Sequence, residues 1–197
     1  MEYTLLEKQK EFIEIPHDEE LDVAVYQGGF GSGKTWIGSL LGIMLARKYP
    51  KSKGLVCAKE YTLLKNTTLV EYLNHLDKMG YLPGKDYKFN KLDHKLTFSN
   101  GSEILFKDID DPEKIKSLNL HWAEIEECSQ VSDSSFKQLL ARIRKEPRPE
   151  WKGFRYRVFC HTNPQPNKGW IWKRFVEEKK PNFRLITAPT TNNIYLP

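Results

Sequence analysis

The segment Gln27-Gly28-Gly29-Phe30-Gly31-Ser32-Gly33-Lys34-Thr35 constrains this chain more than any other. From Gly28 it fits G-x-x-x-x-G-K-[ST], and both flanks that the pattern requires are present. The apolar run Leu21 to Gln27 reads as a strand before it, and Lys34 to Tyr49 as a helix after it. Glycines let the backbone curl so that successive N–H groups face phosphate oxygens, and the following helix adds the positive end of its dipole. Lys34 then bridges the terminal phosphates of a nucleotide and Thr35 offers its hydroxyl to Mg2+. Gly28, Gly29, Phe30, Gly31, Ser32, Gly33, Lys34 and Thr35 are therefore the expected phosphate-binding residues. The competing interpretation is a glycine-rich turn that binds nothing; two correct flanks and the Lys-Thr pair weigh against it.

Further apolar or β-branched runs recur at Gly54 to Lys59, His121 to Glu126, Arg157 to His161 and Phe183 to Ala188. Helical periodicity marks Thr62 to Met79, Ser132 to Arg144 and Gly169 to Glu178. This alternation predicts an α/β fold with a central, mainly parallel sheet flanked by helices. Tyr87 to Phe89, Lys95 to Ser99 and Glu103 to Lys107 read as short strands. Asn100-Gly101 between the last two predicts a type I′ hairpin, so an antiparallel extension of the sheet is expected. No repeat, low-complexity tract or linker interrupts the chain, and residues 1–197 read as a single domain.

A chain of 197 residues buries roughly 70% of its unfolded surface, enough for a core without disulfides or structural metal. Its three cysteines, Cys57, Cys128 and Cys160, form no CxxC and fit a reducing compartment. The longest apolar stretch, Leu40 to Ala46, falls far short of the roughly 20 residues that span a bilayer, so a soluble intracellular protein without membrane contact is expected. With 31 Lys+Arg against 26 Asp+Glu, the net charge of +5 permits contact with nucleic acid but does not require it.

A nucleotide hydrolase needs one carboxylate for the metal and another to orient the attacking water. Leu120-His121-Trp122-Ala123-Glu124-Ile125-Glu126-Glu127 is the best source: a strand-like run, interrupted by His121 and Glu124, that ends in two acids. Glu126 is expected to support Mg2+ and Glu127 to act as general base; a merely solvated strand end is the bland alternative. Asp110-Asp111 is a rival pair, but it precedes Pro112 in what reads as a loop. Thr162 and Asn163 follow the strand Arg157 to His161 and are candidates for sensing the γ-phosphate, although Asn-Pro is also a common turn dipeptide. His161 reads as a hydrogen-bonded strand-end histidine rather than a metal ligand. Basic and aromatic residues interleave at Arg148, Trp151, Arg155, Arg157, Lys168, Trp170, Trp172, Lys173 and Arg174. That pattern suits a grip on a DNA backbone or, equally, an aromatic stripe in the core with cations around it.

Taken in order, Gln9, the loop Gly28 to Thr35, Asp111-Pro112-Glu113-Lys114-Ile115-Lys116-Ser117, Glu126-Glu127, Leu139-Leu140-Ala141-Arg142-Ile143-Arg144 and Thr162-Asn163-Pro164 resemble the ATPase domain of the large terminase subunit of tailed bacteriophages. The resemblance covers essentially the whole chain. It implies a RecA-like P-loop ATPase of the ASCE (catalytic-glutamate) type that hydrolyses ATP with Mg2+ to drive double-stranded DNA into a procapsid. It further implies Gln9 at adenine, Lys34 and Thr35 on phosphate and Mg2+, Glu126 on the metal, Glu127 activating water, and Thr162 and Asn163 in a coupling motif. Relatives often carry Arg in the loop where this chain has Phe30, so Arg142, Arg144 or Lys116 becomes the candidate source of transition-state charge, in this subunit or in a neighbour's site. Expected partners are the portal protein, the small terminase subunit and further copies in a ring, with the protein located at the portal vertex in the host cytoplasm. The family's C-terminal nuclease domain is not expected within these residues. The alternatives are another P-loop enzyme, such as a helicase-like ATPase or a small-molecule kinase, and a nucleotide-gated binding module.

Overall fold

The computed structural model describes residues 3–165 and 169–195. Eight strands form one sheet: β1 (Val23–Gly28), β2 (Lys53–Ala58), β3 (Tyr87–Asn90), β4 (Lys95–Phe98), β5 (Glu103–Asp108), β6 (Trp122–Glu126), β7 (Arg157–Thr162) and β8 (Phe183–Ala188). Their spatial order is β3-β4-β5-β2-β6-β7-β1-β8. The six from β5 to β8 in that order pair parallel, while β3 and β4 add antiparallel to β5. Helices α1 (Glu7–Ile13), α2 (Lys34–Lys48), α3 (Tyr61–Asn66), α4 (Thr68–Lys78), α5 (Asp133–Leu140) and α6 (Trp170–Trp172) accompany the sheet. One apolar layer, containing Phe12, Ile37, Leu41, Tyr72 and Phe159, packs α1, α2 and α4 against the sheet. A second, with Leu55, Ile125, Phe136, Leu139 and Cys160, packs α5 on the other face. All three cysteines are buried and unbridged, and among the described residues no helix is long and apolar enough to cross a membrane.

Strand alternation assigns the chemistry to a face. Along β6, Trp122, Glu124 and Glu126 share the side facing α2 and α4, and the parallel register sets Glu126 opposite His161 of β7. Helix α2 can approach this face because two of its residues lack side chains. A Cβ at Gly38 would stand 2.7 Å from both Glu124 Oε1 and His161 Nε2, and one at Gly42 would overlap the Tyr72 hydroxyl. The two small residues, one turn apart, leave room for a polar layer beneath the helix.

Four local expectations change. The helix over 62–79 is two helices, broken at Thr67 (φ −123°, ψ −77°), whose hydroxyl donates to the Leu63 carbonyl at 2.7 Å and competes with the helical ladder. The hairpin after β4 is a three-residue loop rather than type I′. Gly101 N donates to Phe98 O, Phe98 N to Ser102 O, and of the two central residues only Gly101 has positive φ, at 81°. The segment 169–178 is the short α6 continued by a π-helical turn, Lys173–Glu177. Helix α5, capped by the Ser132 hydroxyl on Ser135 N, stops at Leu140, so Arg142 and Arg144 are not helical.

Four of the nine interleaved basic and aromatic residues are framework. Trp151 is buried against Tyr49, His121 and Phe154. Arg157 is 2% exposed and donates to the carbonyls of Ile15, Asp18 and Tyr156. Trp170 stacks on Phe136 and donates to Val131 O, and Arg174 pairs with Asp133. Lys168 lies outside the described residues.

His121 makes this core sensitive to acid. Its Nδ1 accepts from Lys53 N at 2.8 Å, and burial is the main cause of a pKa lowered to about 4. The folded chain therefore binds this proton less readily than the unfolded chain does, and stability present above pH 6.5 is lost as pH falls towards 4. At about 1.4 kcal/mol per unit, the expected loss between pH 7 and pH 4 is on the order of 3 kcal/mol. Urea denaturation of the natural chain and of His121→Gln across that range checks this: the variant should lack that part of the acid slope, and equal slopes would remove His121 as its source.

Candidate active site

The parallel strands β1, β6 and β7 deliver three segments to one edge of the sheet: the loop after β1, the turn after β6 and the segment after β7. After β1 the backbone enters the left-handed region at Gly31 (φ 74°) and Gly33 (φ 73°), as a loop curling onto a helix N-terminus demands, and α2 starts at Lys34. Phe30 projects outward, 86% exposed, with Lys34 Nζ 5.6 Å from its ring centre. Gly28, Ser32 and Lys34 are buried, and Gly29, Gly33 and Thr35 are half-buried.

Lys34 Nζ donates to Asn163 Oδ1 at 3.0 Å and lies 3.8 Å from Glu127 Oε1. Glu127 in turn accepts from Asn163 Nδ2 at 2.8 Å, and its other oxygen accepts from Asn163 N and the Thr162 hydroxyl, each at 3.2 Å. Ser129 Oγ also lies within hydrogen-bond distance of the Thr162 hydroxyl, at 2.8 Å. Glu127 adopts φ 45°, ψ 53°, a left-handed backbone that costs a non-glycine residue about 1–2 kcal/mol. The strained turn swings its carboxylate out of line with β6 and over the tip of β7. Lys34, Glu127, Thr162 and Asn163, more than a hundred residues apart at the extremes, thus meet as one network.

Beneath them Glu126, 2% exposed, accepts the Thr68 hydroxyl at 2.6 Å. Burial alone would raise its pKa, but His161, Thr68 and Lys34 together outweigh that and hold it below the ordinary carboxylate value. His161 is fully buried: Nε2 is 2.8 Å from Glu124 Oε1, and Nδ1 is 3.3 Å from Glu126 Oε1 without hydrogen-bond alignment. Burial opposes its charge, yet Glu126 and Glu124 raise its pKa to about 10. Glu124 completes the layer by accepting the Tyr72 hydroxyl at 2.6 Å; its pKa is raised chiefly by burial. Sequence reasoning treated Glu124 as an interruption and gave Thr68 and Tyr72 no role. The one available signal was period two along β6, which puts Glu124 on the same face as Glu126.

Other expected residues are placed differently. Gln9 reaches the loop, but its amide is committed to the chain: Oε1 accepts from Leu6 N at 3.0 Å, capping α1, and Nε2 approaches Gly33 O at 3.5 Å. Beside it lies a cavity of about 260 Å3 lined by Leu6, Lys8, Tyr26, Ser32, Pro189 and others. Arg142 and Arg144 are at the opposite end of β6. The carbonyl of Arg142 and the amide of Arg144 bond the backbone of Leu120, which precedes the strand, and Arg142 Nη1 donates to Lys116 O. Five strand residues separate that end from Glu127, roughly 16 Å, so these cations do not reach Lys34 of their own chain. Asp111 caps a 3₁₀ turn by accepting from Glu113 N, and Asp110 beside it follows β5, two strands from β6; neither joins the network.

A glycine loop on a helix N-terminus after β1, a lysine facing an acid from β6 two strands away, and Thr162-Asn163 at the tip of β7 between them form a P-loop site on a RecA-like fold. The sequence signature described as phage terminase large subunit matches residues 20–197, and the chain belongs to that family. It is 32% identical over 160 residues to the PBSX phage terminase large subunit of Bacillus subtilis (strain 168), covering 80% of this chain and 35% of that protein. The large terminase from a thermophilic bacteriophage, in complex with ADP, superposes with a TM-score of 0.79 at 18% identity, over 98% of this chain and 48% of that one. The N-terminal domain of the DNA packaging ATPase from bacteriophage phi29 superposes with a TM-score of 0.64 at 11% identity, over 98% of this chain and 100% of that one. These structural likenesses speak for the fold. The chain spans about a third to a half of the first two proteins.

Proposed function

We propose that this chain is the ATPase motor domain of a genome-packaging machine, hydrolysing ATP to translocate double-stranded viral DNA into a procapsid. The observation that carries the reading is Glu127, held in a strained turn by Asn163 and Thr162 while facing Lys34. Lys34 would neutralise charge on the β- and γ-phosphates, the amides of residues 29–34 would cradle them, and Glu127 would accept the proton of a water in line with the γ-phosphorus. Asn163, shared between Lys34 and Glu127, would register whether the γ-phosphate is present. Among the described residues no three His, Cys, Asp or Glu side chains are grouped to hold a metal ion. The hard oxygens of Thr35 and the ionised Glu126 instead fit Mg2+, which keeps few protein ligands and shares its shell with phosphates. Bound there, Mg2+ would supply positive charge against the phosphates. The cavity lined by Leu6, Ser32 and Pro189 would take the nucleoside end; for Gln9 to contact adenine it must release Leu6 N or Gly33 O.

Because Arg142 and Arg144 sit away from their own chain's site, an arginine acting on the γ-phosphate would come from a neighbouring copy in a ring. The portal protein and small terminase subunit at the portal vertex, in the host cytoplasm, are the further partners this reading requires. The test is phosphate release from Mg-ATP over a range of protein concentrations. Activity per protomer should rise with concentration, and Lys34→Ala should lower it about 10²–10³-fold. Normal turnover by that variant would end the reading. A two-lobed helicase-like ATPase would instead hydrolyse ATP without any dependence on self-association.

A further inference from the structure

The phosphate loop is not free-standing. On its outer side the segment after β8 bonds two successive loop carbonyls: the Thr190 hydroxyl donates to Phe30 O at 3.0 Å, and Asn193 Nδ2 donates to Gly31 O. The segment is itself ordered by a 3₁₀ turn over Thr190–Asn192, with Asn192 N on Pro189 O and Asn193 N on Thr190 O, both at 3.0 Å. The fit is close. A Cβ at Gly29 would stand 2.5 Å from the Thr190 hydroxyl, so this glycine makes room for the contact.

In a trans peptide the carbonyl and the following N–H point in opposite directions. Holding Phe30 O outward therefore turns Gly31 N–H away from the segment, and holding Gly31 O does the same for Ser32 N–H. The Ser32 amide closes a 3.2 Å bond onto Gly29 O within the loop, at the long end of the normal range, a partner it can exchange for a phosphate oxygen. We propose that Thr190 and Asn193 are positioning residues of the nucleotide site, clamping the Phe30 and Gly31 carbonyls so that the Gly31 and Ser32 amides are aimed at phosphate. This rests on the nucleotide-binding reading above but assigns a role to a segment that carries no part of the loop pattern. It makes the conformation of residues 190–193 and occupancy of the phosphate site mutually dependent, since whatever displaces one relaxes the other.

Two measurements test it on the full chain. Without nucleotide, amide hydrogen exchange over residues 29–33 should quicken about three- to ten-fold in Thr190→Val and in Asn193→Ala, the loss of one hydrogen bond each, and return to normal in Thr190→Ser. Unchanged exchange in both overturns the clamp whether or not the protein binds nucleotide. With Mg2+ and ADP, calorimetric titration should show Kd raised by a similar factor in the Val and Ala variants and restored in Thr190→Ser. A natural chain that binds ADP with affinity equal to both variants overturns the clamp, whereas a natural chain that binds none defeats the nucleotide reading itself.

Discussion

Glu127→Gln is expected to cut phosphate release by about 10²–10⁴-fold while leaving ADP affinity within a factor of about three. The amide keeps the length and shape of the side chain, so the left-handed turn at residue 127 is retained. What changes is chemistry. Glutamine cannot take a proton from water, and its NH2 group adds donors where Asn163 N, Asn163 Nδ2 and the Thr162 hydroxyl already donate. One of these three bonds must be lost, and Lys34 loses the opposite charge 3.8 Å away. On the proposed reading nucleotide affinity rests on the loop and Lys34, so it should not follow residue 127 in the same way. Steady-state turnover with calorimetric ADP binding on the same preparations separates the two effects. Full turnover by Glu127→Gln would remove this residue as the base, and loss of affinity in step with turnover would make it a structural strut instead.

His161→Ala should be strongly destabilising. It leaves Glu124, 0% exposed, and Glu126, 2% exposed, without the cation that lies within 2.8 and 3.3 Å of them. Uncovering a buried charge in this way costs about 3–5 kcal/mol. For a chain of this length that corresponds to a melting temperature lower by roughly 6–20 °C. Adding Glu124→Gln should recover part of the loss, because an amide needs no counter-charge and its oxygen still accepts the Tyr72 hydroxyl. Thermal melts of the two single variants and the double variant give the coupling directly. Strict additivity would show that the three groups do not act as one network.

Much of the fold was legible because its signals are local. The loop pattern, its two flanks and five parallel-strand runs follow from glycine placement and from apolar runs of strand length. The errors were also local, and each arose where hydrogen bonds competed. Thr67 back-bonds to Leu63 and splits a helix that periodicity alone continues. Ser99-Asn100-Gly101 closes as a bulged three-residue loop, because Gly101 alone of Asn100-Gly101 takes positive φ. Beyond Leu140 the chain leaves the helix to pair with Leu120 instead, which carried Arg142 and Arg144 to the wrong end of the sheet. The interleaved aromatic and basic stretch could not be resolved in advance, since a cation that snorkels and a cation that grips DNA share one pattern; Arg157 turned out to be buried on three carbonyls.

The amino-acid order by itself determined that this chain builds a glycine-rich loop between a strand and a helix, and that two acids end a later strand, because those features depend only on neighbours in sequence. Tertiary structure decided which acid faces Lys34, that Asn163 joins the two, that His161 and Glu124 support Glu126 from below, and that Thr190 and Asn193 hold the loop from outside. Each of those contacts links residues from about 35 to 160 positions apart, and only the register of parallel strands, which no local pattern encodes, brings such distant side chains within bonding distance.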